Sequence, residues 1–182
     1  MNGMKKKIGT VVMVLLALVC VWSCASDPGY SNYRQGMFAG YNLLSTSQYQ
    51  PAIEQFMRAS QGDPTKAIPL ALAGQAAYQT ADYATASRYL AQAEGLVKGP
   101  DSAYVIVKGY QALIAFRENR QQDGMAALGE YVKVYFNLNP DSTYADVERM
   151  YKSGNIVLPQ LEPLIVNQMN RYEGQLMQWG WN

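Results

Sequence analysis

Five positions recur in this chain 34 residues apart: Gly40 and Gly74, Tyr49 and Tyr83, Ala52 and Ala86, Phe56 and Leu90, Ala59 and Ala93. A fixed period of that length constrains the fold more than any single motif, because a repeated unit must bury its apolar face against its own copies. In each copy a small residue is followed by a large apolar one at +4 and a second small one at +7, which places all three on one helical face. Small side chains at a fixed place on two helices let the axes approach to the lower end of the roughly 8–10 Å packing range. The large neighbour fills the space beside that contact. STSQ and TAD break the chain inside each pair of helices, and GDPT and KGPDS break it between pairs.

A third copy follows in GMAALGEYVKVYFNLNP, where Ala127, Tyr131 and Val134 keep the +4 and +7 steps and Ala115 stands where the glycines were. It lies 41 residues beyond the second, with NRQQDG as the break inside the pair and NPDS after it. The extra length amounts to about two helical turns and preserves the buried face.

The series Ala52, Phe56, Ala59, Pro64, preceded by Ala39-Gly40 and Tyr49, resembles the tetratricopeptide repeat. The second copy matches it at Gly74, Tyr83, Ala86, Leu90 and Ala93, with Pro100 two residues late. Departures are Gly36 and Leu70 in place of the family's tryptophan, and Gly124 in place of the tyrosine of the third copy. The resemblance spans residues 33–141. It implies an all-α fold, a short right-handed superhelix of about three helix pairs, closed by a C-terminal capping helix within residues 142–182. In that last segment Thr143 and Asp146 are spaced like a capping box, and Gly154-Asn155 ends the helix so begun. Leu161, Leu164, Ile165, Met169, Tyr172, Leu176 and Trp179 then recur at helical spacing.

The resemblance also implies a concave groove that receives an extended peptide or a partner's helix. Carried over position by position, its lining is Arg34, Met37 and Tyr41, then Ala71, Gln75 and Tyr78, then Ala112, Phe116 and Asn119. Tyr41, Tyr78 and Phe116 would form an aromatic line, with Gln75 and Asn119 supplying amide donors and acceptors. That chemistry suits the main chain of a neutral or apolar segment. Tyrosines at helical spacing equally serve as packing residues, so both readings of these rings stand at this point.

Ahead of the repeats, Lys5, Lys6 and Lys7 precede an uncharged run of 15 residues from Ile8 to Trp22, with small residues at Ser23 and Ala25. This is the order of an export signal. The run is shorter than the roughly 20 residues of a membrane-spanning helix, which leaves a permanent anchor as the alternative. Val21-Trp22-Ser23-Cys24 resembles the lipobox of bacterial lipoproteins, although Trp22 departs from its usual small residue; the rival is ordinary cleavage after Ala25. Lipidation leaves residues 1–23 as the signal peptide, caps Cys24 with palmitate-class acyl chains and leaves residues 24–32 as a tether. Cys20 is discarded with the leader. Ala25, rather than Asp, implies in that family the outer membrane, facing the periplasm.

The chain has no histidine. Ser-His-Asp and Cys-His catalysis, histidine acid–base work and imidazole metal sites are therefore excluded. With the leader set aside, 12 Lys and Arg face 14 Asp and Glu, a net −2 that gives nucleic acid no basic surface. Glu54, Glu94, Glu118, Asp123 and Glu130 fit solvated helix faces; a glycosidase needs two carboxyls facing each other about 5–10 Å apart. The expectation is a non-enzymatic interaction scaffold or adaptor of the bacterial cell envelope, without cofactor, metal or small-molecule substrate, holding protein partners through its groove. A stoichiometric component of an outer-membrane secretion, pilus or outer-membrane-protein machine is the alternative, and a carboxylate-dependent cell-wall hydrolase a remote one. Trp179 and Trp181 suit either the end of the cap or a membrane interface.

Overall fold

The computed structural model describes residues 28–138 and 143–179, with side chains from 29 to 136 and from 143 to 171. The leader, Cys20, Cys24, Trp181 and the side chain of Trp179 lie outside the described residues. Those residues form eight α-helices and no strand: α1 Pro28–Ser45, α2 Tyr49–Gly62, α3 Ile68–Gln79, α4 Tyr83–Leu96, α5 Ser102–Arg117, α6 Gln121–Leu138, α7 Tyr144–Ser153 and α8 Leu158–Trp179. No described helix is long and apolar enough to cross a membrane.

Residues 28–32, expected as part of a tether, are helical: α1 already starts at Pro28. A proline at the first helical position loses nothing by lacking an N–H and has its φ preset for the helix. Pro28 thus opens the helix.

Helices α1 and α2, α3 and α4, and α5 and α6 pack as hairpins, joined by contacts of α2 with α3, α3 with α5, and α4 with α5. Each hairpin turns in the same way. The first helix ends on a residue in the left-handed conformation, Ser47 (φ 59°), Ala81 (φ 60°) or Asn119 (φ 58°). The next N–H then reaches back to the helix, Gln48 to the Leu43 carbonyl, Asp82 to that of Ala77 and Arg120 to that of Ala115, at 2.8–3.1 Å. These are Schellman closures, which satisfy carbonyls that the helix end leaves without partners. Asp82 and Asp101 cap α4 and α5 by accepting from the Thr85 and Tyr104 N–H groups.

The turns fix the true register. Ser47 to Ala81 is 34 residues, whereas Ala81 to Asn119 is 38, not the expected 41. The difference resides in α5, which has 16 residues against 12 in α3, one additional helical turn. Gly124, not Ala127, therefore occupies the place of Ala52 and Ala86. Ala52 and Ala86 are fully buried, while Ala127 is only partly so. Leu128, fully buried, takes the place of Phe56 and Leu90. The misleading signal was QQDG. Its glycine looks like a breaker but lies inside α6, where a Cβ would come within 2.5 Å of the Phe116 ring. The expected seams of the first two hairpins hold: a Cβ on Gly40 would strike the Phe56 ring at 2.6 Å, and one on Gly74 the Leu90 side chain at 2.7 Å.

Helix α7 packs on α6, and α8 contacts α7 and crosses to α5. Thr143 and Asp146 do not form the expected capping box: the Thr143 side chain makes no cap bond. Its hydroxyl instead accepts from Gln168 Nε2 (2.7 Å) and from Arg171. Gly154 does end α7, in the left-handed conformation with φ 67°. Leu161, Ile165 and Met169 of α8 are fully buried.

Candidate functional site

Helix α8 occupies the face that the sequence assigns to a partner. Glu162 accepts a hydrogen bond from the Tyr78 hydroxyl at 2.6 Å and forms an ion pair with Arg117, whose Nε donates to the same tyrosine oxygen at 2.9 Å. Three helices, α3, α5 and α8, are clasped by one network. Burial is the largest influence on the Glu162 carboxyl and acts to raise its pKa, but the bonds from Arg117 and Tyr78 outweigh it and hold the group below its usual range. Burial pushes the Tyr78 hydroxyl well above its ordinary value, so it stays protonated and donates. The guanidinium of Arg117 also lies 5.7 Å from the Tyr78 ring centroid and 5.4 Å from that of Tyr83.

The remaining expected groove residues divide. Met37, Ala71 and Ala112 are fully buried core. Phe116 is buried, its ring against Gly124 of α6. Asn119 is not a groove residue at all; it is the left-handed residue of the third turn, a role to which asparagine is suited by its short polar side chain. Arg34 is exposed, 5.8 Å over the Tyr30 ring. Tyr30, Arg34 and Phe38, at i, i+4 and i+8, make an open stripe on α1, with Tyr30 and Phe38 more than half exposed.

Tyr41 and Gln75 meet in a cavity of about 270 Å³ with Leu44, Ser45, Ser47, Tyr49 and Gln79, lined also by Val166 and Asn170 of α8. Gln75 is 1% exposed, and its side-chain carbonyl oxygen has no hydrogen-bond partner among the described residues.

A second cleft, of about 400 Å³, brings Glu94 and Glu130 together with Val97, Pro100, Tyr104 and Lys133. Both carboxylates are engaged. Glu94 is bonded to Lys108 and Gln111, and Glu130 accepts from the Tyr104 hydroxyl at 3.1 Å. Despite burial, those bonds hold the Glu94 carboxyl below its usual range. A general acid at neutral pH needs the opposite shift. No group of three or more His, Cys, Asp and Glu side chains among the described residues is arranged to hold a metal ion.

Sequence reasoning missed Arg117, Glu162, Val166 and Asn170. The last three stand at i, i+4 and i+8 on α8 beside the apolar Leu161-Ile165-Met169 stripe; nothing in their local sequence points to α3 or α5. No protein-family profile matches the chain, and no curated protein matches it.

Proposed function

We propose that the chain is a lipid-anchored, tetratricopeptide-type helical scaffold of a bacterial cell envelope, acting by holding a protein partner close to the membrane. The observation that carries this reading is the recurrence of one hairpin design: the same left-handed closure at Ser47, Ala81 and Asn119, with small residues at the same seam each time. Repeated hairpins of this kind serve as platforms.

The partner surface is the open stripe of α1. With α8 clasped onto α3 and α5, the exposed remainder of the assigned groove lies at the first hairpin, where Tyr30, Arg34 and Phe38 combine the aromatic and guanidinium groups that anchor protein interfaces. Cys24 precedes Pro28 by four residues, at most about 14 Å of extended chain. A lipid on Cys24 therefore holds α1 against the bilayer surface, and the partner is an envelope protein at that surface. Ala25 supports placement in the outer membrane.

Two experiments test the reading. Palmitate labelling is expected for the wild type and absent in Cys24→Ala. Crosslinking in intact cells should give adducts that disappear in Arg34→Glu/Phe38→Glu and persist in Gln75→Met. Identical adducts from the α1 variant and the wild type reject the surface.

A further inference from the structure

We infer that the cavity between α1, α3 and α8 is a binding site for a neutral, polyhydroxylated ring about the size of one sugar residue, with Gln75 as its central acceptor. The inference goes beyond the scaffold reading and does not depend on the tether or the α1 stripe.

A buried amide oxygen without a donor destabilises the free protein, and such groups are rare in native structures. Gln75 is singular among the hairpins: its counterparts are Tyr41 in the first and, at the 38-residue offset, Leu113 in the third, which is fully buried. A leucine would fit a packing position of this kind; a glutamine supplies hydrogen bonds. Around it the cavity gathers Ser45, Ser47, Gln79 and Asn170, groups able to donate and to accept, and two tyrosines, Tyr41 and Tyr49. No Asp, Glu, Lys or Arg lines it. An ionic ligand would lose its hydration there without gaining a countercharge. Hydroxyls on a saturated ring satisfy amides in both senses, while its C–H faces suit tyrosine rings.

Size decides against a peptide. At about 270 Å³ the cavity falls just below the range of sites for drug-sized ligands. Tyr78, one turn along α3 from Gln75, is bonded to Glu162, one turn along α8 from Val166. An extended chain would have to pass that clasp, whereas a single ring or the terminal residue of a glycan does not. Because Val166 and Asn170 line the cavity, a bound ring also braces α8.

The test is titration of the full chain, in a sugar-free detergent, with glucose, N-acetylglucosamine and their methyl glycosides, and with N-acetylglycine N-methylamide as the peptide probe. At least one sugar is expected to saturate, to shift the NMR signals of the Gln75 side-chain amide and to slow hydrogen exchange in α8. Binding by the methyl glycoside assigns a glycan terminus, and binding only by the free sugar assigns a monosaccharide. Gln75→Met should weaken binding at least tenfold and melt at or above the wild-type temperature, since it removes the unpartnered oxygen. Should Gln75→Met fail to fold, Asn170→Ala, altered at an exposed side chain, is expected to weaken binding severalfold. Absence of saturation by every sugar, undiminished binding by the variants, or saturation by the peptide probe alone overturns the proposal.

Discussion

Replacing Gly36 by alanine tests the closest helix contact of the first hairpin. A Cβ at that position would stand 2.7 Å from the Gln55 carbonyl oxygen and 2.8 Å from the Ala59 nitrogen. Both are backbone atoms of α2, so no side-chain rotation relieves the overlap. Restoring an ordinary separation of about 3.5 Å requires moving α1 outward by roughly 0.7 Å, enough to forfeit part of the dispersion contact along the seam. Overpacking costs about 1–3 kcal/mol, and with only backbone atoms to yield, this site falls in the upper part of that range, about 2–3 kcal/mol. Against it, alanine gains about 1 kcal/mol over glycine inside a helix. The net expectation is a loss of roughly 1–2 kcal/mol, a fall in Tm of about 2–8 °C for a chain of this size. Gly95, in α4, serves as the control, because a Cβ there would meet no atom within 4 Å. Its substitution by alanine should leave stability unchanged or raise it by up to about 1 kcal/mol. Urea and thermal unfolding followed by circular dichroism measure both. If Gly36→Ala melts at or above the wild-type temperature, α1 does not lie on α2 as described, and the small-residue argument fails at its tightest contact.

Tyr131→Phe removes the 2.6 Å bond to the Gln168 side-chain oxygen, leaving a buried acceptor without that donor, and should cost about 1–3 kcal/mol in urea unfolding. Glu162 has a depressed pKa in the folded chain, so its contribution is present above its unfolded value of about 4.3 and is lost as the pH falls through the lower folded value. Hydrogen exchange in α8 should therefore accelerate on acidification below about pH 4, and Glu162→Gln should flatten that dependence. Ala81→Gly relieves a non-glycine residue at φ 60°; the relief of about 1–2 kcal/mol, less the chain entropy glycine adds, predicts a gain of roughly 0.5 kcal/mol and a slightly raised Tm.

The first two hairpins were legible because their seams use residues whose size is the message. Gly40 and Gly74 with Phe56 and Leu90 leave one solution for a close helix pair, and the 34-residue spacing repeats it. The third register was not, because glycine carries two meanings. Gly124 looks like a breaker by composition, yet it is a contact residue inside α6, and only the left-handed turn at Asn119 distinguishes the two. The site was legible in part for a related reason. The resemblance to the repeat family marked the face of α3 that bears Gln75 and Tyr78, but a pattern within one helix is silent on which distant segment covers that face. The covering helix was visible as an amphipathic stripe from Leu161 to Met169. Its docking position depends on Arg117 and Glu162, 45 residues apart, a pairing that neither residue's local surroundings announce.

The poor fit of the third copy to the repeat has a structural cause. At the 38-residue offset, Gly109 takes the place of Met37 and Ala71, while Tyr131 takes that of Ala59 and Ala93. Relative to the first hairpin, bulk has moved from the first helix to the second. A Cβ on Gly109 would meet both the Tyr131 ring and Ile165 of α8 at 3.1 Å. The glycine thus leaves a depression in α5 shared by one ring from α6 and one side chain from α8. Lying there, the Tyr131 ring carries its hydroxyl to Gln168, which in turn donates to Thr143 at the entry to α7. An ideal third copy, with alanine at both positions, would pack its own two helices well and offer α8 neither the depression nor the hydrogen bond. The departures from the repeat at Gly109 and Tyr131 are therefore what turn the last hairpin from one more layer into a seat for the closing helix.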